Sequence, residues 1–185
     1  MTKAQLTVLA GPTAVGKGTV VAALTKRFPT LNVSISATTR DPRPGELNGV
    51  HYYFVSTKEF DAMIERGDML EWALVHGKNK YGTPRGPVDE ALAAGKPVLL
   101  EIDLAGARQV RTNRPDAQFI FLAPPSWEEL ESRLIGRGTE GPEEQARRLA
   151  TARVELEAAS EFDHVVINDD VERAVDELAR LIGLE

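Results

Sequence analysis

Short apolar stretches alternate with helical repeats along most of this chain. Strand-like apolar runs occupy residues 6–10, 32–37, 97–102, 118–122 and 164–167. Apolar positions at helical spacing predict helices before Pro29 and over residues 88–94, 104–111, 126–134, 143–159 and 171–182. Strands that alternate with helices are typical of a parallel sheet with helices on both faces, whose ligands bind at the carboxyl ends of the strands.

Residues 38–83 interrupt this pattern. They are predicted to form a loop over 38–49, strands over 50–55 and 69–75, a capped helix from Thr57 to Gly67 and a polar turn over 77–83. The loop assignment follows from two prolines and two glycines among charged side chains. We therefore expect a small strand-rich insertion within the α/β frame.

The composition indicates one globular domain with an acidic balance. The 185 residues include 22 basic and 28 acidic side chains, a formal charge of −6, which argues against general binding to nucleic acid or to an anionic membrane. There is no cysteine, so disulfides and thiolate metal sites are excluded. No apolar run reaches membrane-spanning length and no cleavable leader pattern is visible, so we expect a cytoplasmic protein.

The stretch after the first strand has the chemistry of a phosphate-binding loop. Its sequence, GPTAVGKGT over residues 11–19, places glycines and Lys17 between an apolar strand and a helix. We expect Gly11 and Gly16 to adopt positive φ, the amides of residues 14–19 to face an anion at the helix N-terminus, and Lys17 to contact the outer phosphates. A glycine-rich turn without a ligand is the alternative.

Position 18 departs from the usual form of this motif, which has Ser or Thr after the lysine. Gly18 has no hydroxyl, and Thr19 lies about 100° further round the helix. We therefore expect Mg²⁺ to be carried by the nucleotide and held mainly by phosphates and water. The histidines show no ligand spacing, so no metal bound by the protein itself is predicted.

The insertion contains candidate contacts for a phosphate and for a base. Arg40 and Arg43 lie in a proline-containing loop, where two guanidinium groups suit a firmly held phosphate, and Tyr52 and Tyr81 add hydroxyl donors. Solvated loop charges are the alternative. Glu71 lies among apolar residues of a predicted strand, so it either faces water or pairs with a ligand. Guanine offers N1–H and N2–H₂ donors to such a carboxylate, whereas adenine offers an acceptor at N1.

Further charged residues follow the core strands. Glu101 and Asp103 flank the carboxyl end of a buried strand, where carboxylates orient Mg²⁺-bound water or a basic partner. Arg133 and Arg137 share one face of a predicted helix, and Arg148 lies on the next helix. For each of these residues, an ordinary solvated position is the alternative.

Several segments, in their order and spacing, resemble the guanylate kinases: GPTAVGKGT, SISATTRDPRPGELNGVHYYF, LEWA, YGT, EIDLAG, FLAPPS, RLIGRGTE and INDD. The resemblance covers nearly all of the chain. It implies a single domain with a P-loop NTPase-like parallel sheet flanked by helices. The implied parts are a core (residues 1–37, 84–125 and 160–185), a strand-rich insertion that binds a nucleoside monophosphate (38–83) and a helical lid (126–159).

The resemblance also implies transfer of the terminal phosphoryl group of ATP to GMP or dGMP, with Mg²⁺ carried by the nucleotide. The implied GMP ligands are Ser36, Arg40, Arg43, Tyr52, Glu71, Tyr81, Thr83 and Asp103. The implied ATP ligands are Gly11, Pro12, Thr13, Ala14, Val15, Gly16, Lys17, Gly18, Thr19 and Asn168. The implied catalytic residues are Lys17, Arg40, Arg133, Arg137 and Arg148.

Two of these expectations, the role of Asn168 and the enzymatic activity, have open alternatives. Asn168 could instead cap the helix that begins at Val171. The chain could be a non-catalytic binding module of the same fold, or a P-loop kinase for another phosphate acceptor. The expected partners are nucleotides, without nucleic acid or membrane, and the sequence leaves the oligomeric state open.

Overall fold

The computed structural model describes residues 3–136, 138 and 140–184. Within them, strands and helices alternate and build two sheets. In chain order the elements are β1 (Leu6–Ala10), α1 (Lys17–Arg27), β2 (Asn32–Val33), β3 (Ala37–Thr38), β4 (Tyr53–Phe54), α2 (Thr57–Glu65), β5 (Met69–Val75), β6 (Asn79–Pro84), α3 (Arg85–Ala93), β7 (Val98–Glu101), α4 (Leu104–Asn113), β8 (Gln118–Ala123), α5 (Trp127–Ile135), α6 (Pro142–Glu157), a 3-10 turn (Ala158–Glu161), β9 (His164–Ile167) and α7 (Val171–Ile182).

The larger sheet is parallel. Its five strands lie in the order β2-β7-β1-β8-β9, and Val8 of β1 pairs with Leu100 of β7 and with Phe119 of β8. Every residue of β1 is buried, because a parallel strand covered by helices on both faces has no side in contact with water. The predicted α/β fold with a parallel sheet flanked by helices is therefore confirmed.

Apolar clusters cover the two faces of this sheet. On one face, Leu24 of α1 and Leu178 of α7 belong to the same buried cluster as Leu9 of β1. On the other face, Val110 of α4 belongs to a cluster with Val8 of β1. Neighbouring residues of β1 thus face opposite clusters, as the twofold alternation of a strand requires.

A smaller sheet occupies the region predicted to form the insertion. Its four strands lie in the order β4-β3-β6-β5; β3 pairs with β4 in parallel, while β6 pairs antiparallel with β3 and β5. Phe60 of α2 is fully buried in a cluster with Ala37 and Met69, and its ring packs edge-on against Trp72. This sheet therefore has a small apolar core of its own.

The polar turn predicted over residues 77–83 is wrong, because most of this segment is strand β6. The turn itself is short, with positive φ at His76 and Gly77, and the chain then pairs with β5 from Asn79 to Pro84. Backbone pairing with two neighbouring strands holds β6 in the sheet. Its side chains do not alternate between apolar and polar, so the periodicity could not reveal it.

Three other predicted boundaries also change. Residues 32–37, predicted as one strand, divide into β2 of the larger sheet and β3 of the smaller sheet, because the chain crosses between the sheets there. Residues 50–55 contribute only the short strand β4, and α3 begins at Arg85 instead of position 88.

Serine side chains cap two of the helices, including the helix α2 that was predicted to be capped. Ser56 Oγ accepts a hydrogen bond from the Glu59 N–H at 3.1 Å, and Ser126 Oγ accepts one from the Glu129 N–H at 3.2 Å. α5 and α6 share an apolar cluster around Leu130 that is separate from the two sheet clusters. Among the described residues, no helix combines the length and the hydropathy needed to cross a bilayer.

Replacing Phe60 by alanine should lower the free energy of unfolding by about 3–5 kcal/mol, because the change removes a buried ring and leaves a cavity. Leu74→Ala is the matched control. Leu74 lies on β5 of the same sheet but is 54% exposed, so its loss should cost less than about 0.5 kcal/mol. Urea unfolding followed by circular dichroism measures both values, and equal losses would contradict a separate core beneath the smaller sheet.

Candidate functional site

The glycine-rich stretch forms a closed turn between β1 and α1. Gly16 has φ of 95° and Ala14 has φ of 70°, and the Val15 N–H donates to the Pro12 carbonyl at 3.2 Å. The turn borders a cavity of about 380 Å³, lined by Pro12, Thr13, Ala14, Gly16, Lys17, Gly18, Thr19 and Glu101. The first turn of α1 faces this cavity, so its unpaired N–H groups and the helix dipole favour an anion there.

The positive φ predicted for Gly11 is wrong. The positive φ predicted for Gly16 is confirmed, and the second positive φ of the loop lies at Ala14 and not at Gly11. Gly11 is required for a different reason: a Cβ at this position would stand 2.4 Å from the Leu122 carbonyl oxygen of β8. The loop therefore packs backbone against backbone at its start, and only glycine fits there.

Lys17 is half-buried and surrounded by oxygen atoms. Its Nζ donates to the Gly11 carbonyl at 2.6 Å. Burial lowers the pKa of Lys17, and the negative charges of Glu155, Glu101 and Asp103 oppose this shift. The side chain of Lys17 thus folds back along the loop. A phosphate that bound here would give its ammonium group further hydrogen-bond acceptors and a negative charge.

The carbonyl of Val15 accepts two side-chain hydrogen bonds. The buried amide of Asn168 donates to it at 2.8 Å, and Arg133 Nη1 donates to it at 3.3 Å. Asn168 is itself fixed, because its N–H donates to the Ala123 carbonyl at 2.8 Å. These bonds turn a carbonyl of the loop away from the cavity.

Asn168 does not have the capping role that was its alternative. The side chain of Asp170 caps α7 instead, since it accepts a hydrogen bond from the Arg173 N–H at 2.9 Å. A contact of Asn168 with adenine stays a prediction. One of the two amide N–H donors of Asn168 is already bonded to the loop, which sequence reasoning did not anticipate.

Two of the three predicted helix arginines lie beside the loop and pair with carboxylates. Arg133 Nη2 lies 2.7 Å from Glu129, and Arg148 Nη2 lies 2.5 Å from Glu140. A cavity of about 270 Å³ separates Thr13 from α6, and it is lined by Thr13, Glu144, Arg147, Arg148 and Thr151. Arg137 lies outside the described residues.

A second cationic centre forms in the loop before β4. The Arg40 guanidinium makes a two-pronged pair with Glu46, with both N···O distances at 3.0 Å, and lies over the ring of Tyr52 at 5.3 Å. The rings of Tyr52 and Tyr81 are 6.0 Å apart. The structure therefore brings together three of the residues predicted to hold the acceptor phosphate.

Glu46 organises this loop, although the sequence analysis did not single it out. The Arg40 hydrogen bonds and the Arg43 N–H lower the pKa of Glu46 to about 2, and the same pair raises the pKa of Arg40. The Arg43 N–H donates to Glu46 at 2.8 Å, and the Arg43 residue is exposed. The sequence did carry a signal for this role, since Glu46 is an acidic residue that lies three positions after the second arginine of the loop.

Glu71 is buried in the smaller sheet, so the alternative of a water-facing strand position is wrong. It is 9% exposed, and its Oε1 accepts a hydrogen bond from the fully buried Thr83 hydroxyl at 2.7 Å. Burial raises the pKa of Glu71, the Thr83 hydrogen bond opposes this shift, and the charge of Asp103 adds to it. Ser36 lies half-buried just before β3, and its carbonyl accepts from the Tyr53 N–H.

Asp103 lies between the two groups of candidate residues. It caps α4 by accepting from the Gly106 N–H at 2.7 Å, and its charge affects the pKa of both Lys17 and Glu71. Glu101, at the end of β7, faces the glycine loop: a Cβ on Gly18 would stand 4.0 Å from its Oε1. Among the described residues, no cluster of three or more acidic or histidine side chains is arranged to hold a metal ion.

Comparisons with known proteins agree over nearly the full length. The family model for guanylate kinase matches residues 3–185. The guanylate kinase of Thermobifida fusca is 60% identical over 97% of this chain and 91% of its own length, and that of Nocardia farcinica is 59% identical over 97% and 93%. The crystal structure of guanylate kinase from Anaplasma phagocytophilum superposes with a TM-score of 0.74 at 30% identity, covering 99% of this chain and 86% of that one.

Asn168→Ala should lower the free energy of unfolding of the nucleotide-free protein by about 1–3 kcal/mol, because a buried hydrogen bond to the Val15 carbonyl is lost. The control is Asp169→Ala, which removes an exposed ion pair with Arg173 and should cost no more than about 1 kcal/mol. Urea unfolding measures both. If Asn168→Ala were as stable as the wild type, Asn168 would not hold the loop.

Proposed function

This chain belongs to the guanylate kinase family, and we propose that its glycine-rich loop binds the phosphates of ATP while its smaller sheet binds GMP. The chain is an enzyme, an ATP:GMP phosphotransferase. The observation that carries the assignment of sites is the presence of two unlike centres. One is a Lys17-bearing loop at a helix N-terminus, and the other is the smaller sheet, which holds a buried Glu71 bonded to Thr83 and is preceded by a loop with an arginine over a tyrosine ring.

The donor side is supported by the loop geometry. The N-terminus of α1 and the Lys17 ammonium face one cavity, and together they favour the negative charge of a triphosphate. Gly18 leaves space next to Glu101, so we propose that Mg²⁺ arrives with ATP and that Glu101 orients its water ligands. When bound, Mg²⁺ would neutralise charge on the transferring phosphoryl group.

The acceptor phosphate is assigned to Arg40, Arg43, Tyr52 and Tyr81. The Arg40 fork now holds a carboxylate, Glu46, in the two-pronged geometry that also suits a phosphate. Because Glu46 stays ionised down to about pH 2, it keeps Arg40 oriented over the Tyr52 ring at neutral pH. The phosphate would approach the remaining donors of this cluster.

The guanine base is assigned to Glu71, with Ser36, Thr83 and Asp103 beside it. Thr83 occupies one side of the Glu71 carboxylate, and the oxygen atoms retain capacity to accept further hydrogen bonds. Guanine supplies two donors side by side on one edge, N1–H and the N2–H₂ group on C2, and so satisfies a buried negative group. Adenine has an acceptor at N1 and no amino group at C2, so it would leave Thr83 as the donor to this buried carboxylate without adding the two that guanine supplies, which is costly.

The chemical step needs positioning and positive charge more than proton transfer. An oxygen of the GMP phosphate forms a bond to the γ-phosphorus of ATP, the bond from that phosphorus to the bridging oxygen breaks, and ADP leaves with the bonding electrons. The nucleophile is already an anion, so no general base is required. Lys17 and the arginines stabilise the charge on the transferring group.

Arg133 and Arg148 are proposed to reach the triphosphate when the helical segment 126–159 closes as a lid. Both now pair with carboxylates, Glu129 and Glu140, which keep the guanidinium groups beside the loop. Exchange of these carboxylates for phosphate oxygens would complete the site and exclude water from the reacting group. We extend the same proposal to Arg137 on its sequence position alone.

An assay of ADP release with GMP, dGMP, AMP and UMP tests the assigned function. We expect turnover with GMP and dGMP and little with AMP or UMP. No turnover with GMP would contradict the assignment and leave the non-catalytic module or a kinase for another acceptor. No observation favours either of these alternatives at present.

Lys17→Ala should lower kcat by at least about 100-fold, because a charge that stabilises the transferring phosphoryl group is lost. The Kd for GMP should stay within about twofold of the wild type, since Lys17 belongs to the donor side. Lys26→Ala is the control, because Lys26 is an exposed residue in the last turn of the same helix. A large rise in the GMP Kd without a fall in kcat would contradict the donor-side assignment.

Glu71→Gln should lower kcat/KM for GMP by about 100-fold and reduce the preference for GMP over AMP, since the amide accepts one guanine hydrogen bond and repels the other. The wild-type pH profile gives a second readout. Burial raises the pKa of Glu71, so kcat/KM for GMP should fall as the pH drops through that raised value, because the protonated carboxyl no longer accepts both bonds. A Glu71→Gln variant that kept the GMP preference would contradict the base assignment.

A further inference from the structure

β5, the strand that carries Glu71, lies at the edge of the smaller sheet. One side of β5 pairs with β6, and the sheet ends at β5. Helix α4 of the core lies across the other side, and Leu70 of β5 belongs to the same buried cluster as Ala107 and Val110 of α4. Helix α4 therefore occupies the position beside β5 at which a further strand of the sheet would lie.

Two amide side chains of α4 bind the free edge of β5. Gln109 Oε1 accepts from the Trp72 N–H at 3.0 Å, and Gln109 Nε2 donates to the Trp72 carbonyl at 2.9 Å. Asn113 Nδ2 donates to the Leu70 carbonyl at 2.8 Å. A residue that exchanges both of its backbone hydrogen bonds with one partner is the pattern of an antiparallel strand pair. Gln109 and Asn113 thus reproduce with side chains what a neighbouring strand would provide.

These contacts are made on both sides of Glu71. Leu70 precedes Glu71 and Trp72 follows it, and the pairing register with β6 is irregular between Met69 and Glu71. Such an irregularity leaves an extra residue without a ladder partner and lets the strand shift. The amides of α4 fix the backbone on both flanks and so remove that freedom.

The Glu71 head group meets the same helix. Its Oε2 lies over Gly106, where an added Cβ would stand 3.0 Å away, while its Oε1 accepts from Thr83. Gly106, Gln109 and Asn113 are three and then four residues apart, so they share one face of α4. This face therefore contacts the backbone around Glu71 and its carboxylate.

We propose that Gln109, assisted by Asn113, is a positioning residue for guanine specificity. It holds the Trp72 peptide so that the Glu71 carboxylate stays at the distance and in the plane required for the N1–H and N2–H₂ donors. A displacement of about 1 Å at a positioned group can cost about 100-fold in rate. The inference rests on the proposed role of Glu71, and the test separates the two.

Gln109→Met removes both hydrogen bonds and keeps an unbranched side chain of similar length. We measure kcat/KM for GMP, IMP and AMP, and KM for ATP. IMP lacks only the 2-amino group of GMP, so the GMP:IMP ratio reports one hydrogen bond to Glu71. We expect this ratio and the GMP:AMP ratio to fall about 10-fold, with KM for ATP within about twofold of the wild type.

One control variant and one milder test variant define the effect. Thr112→Ala changes an exposed residue of α4 whose hydroxyl bonds only within its own helix, and it should leave both ratios unchanged. Asn113→Ala removes only the Leu70 contact and should lower the ratios by about 2–3-fold. If Gln109→Met does not fold, the GMP:IMP and GMP:AMP ratios of Asn113→Ala test the proposal in its place.

A double-mutant cycle shows whether Gln109 acts through Glu71. In the Glu71→Gln background, Gln109→Met should have no further effect on the GMP:IMP ratio, because the group that it positions is gone. Unchanged ratios in Gln109→Met, or an equal loss with GMP, IMP and ATP, would overturn the inference while the role of Glu71 stands. Retention of the GMP preference by Glu71→Gln itself would overturn both.

Discussion

The phosphate loop depends on how its carbonyl groups are satisfied. For amides to face an anion, neighbouring carbonyls must point elsewhere and find donors within the protein. The Gly11 carbonyl accepts from Lys17, and the Val15 carbonyl accepts from Asn168 and Arg133. Asn168 follows β9 and Arg133 lies on α5, so distant parts of the chain converge on one short loop. The parallel sheet serves this site by bringing those strand ends together.

Carboxylates accompany nearly all the cations of the site that the structure describes. Glu46 holds Arg40 and Glu129 holds Arg133. Among the negative charges that oppose the lowering of the Lys17 pKa, that of Glu155 has the largest effect. Clustered cations would otherwise repel one another and move apart. Acidic partners keep these side chains in place. A phosphate can then replace a carboxylate while the guanidinium groups stay close to their positions. The acidic net charge of the chain is compatible with anionic substrates for this reason.

The sequence predicted what local chemistry determines. The glycine loop, Lys17 and the parallel strands follow from short patterns. The burial of Glu71 did not follow from its apolar neighbours, which left a water-facing position open. Features that depend on distant contacts were missed or wrong. β6 is held by pairing and not by its own alternation, Gly11 is required because of a carbonyl on β8, and the partners of Asn168 and Glu46 become visible only when the chain is folded. No local pattern could place the Gln109 amide against β5.

We propose that two neighbouring pockets bind two different nucleotides in line for phosphoryl transfer. The most direct measurement is calorimetric titration with a single molecule in which adenosine and guanosine are joined by five phosphates. We expect one molecule to bind per chain, at least about 100-fold more tightly than ATP or GMP alone, because one linker engages both pockets. Affinity no better than that of ATP, or two molecules bound per chain, would contradict it.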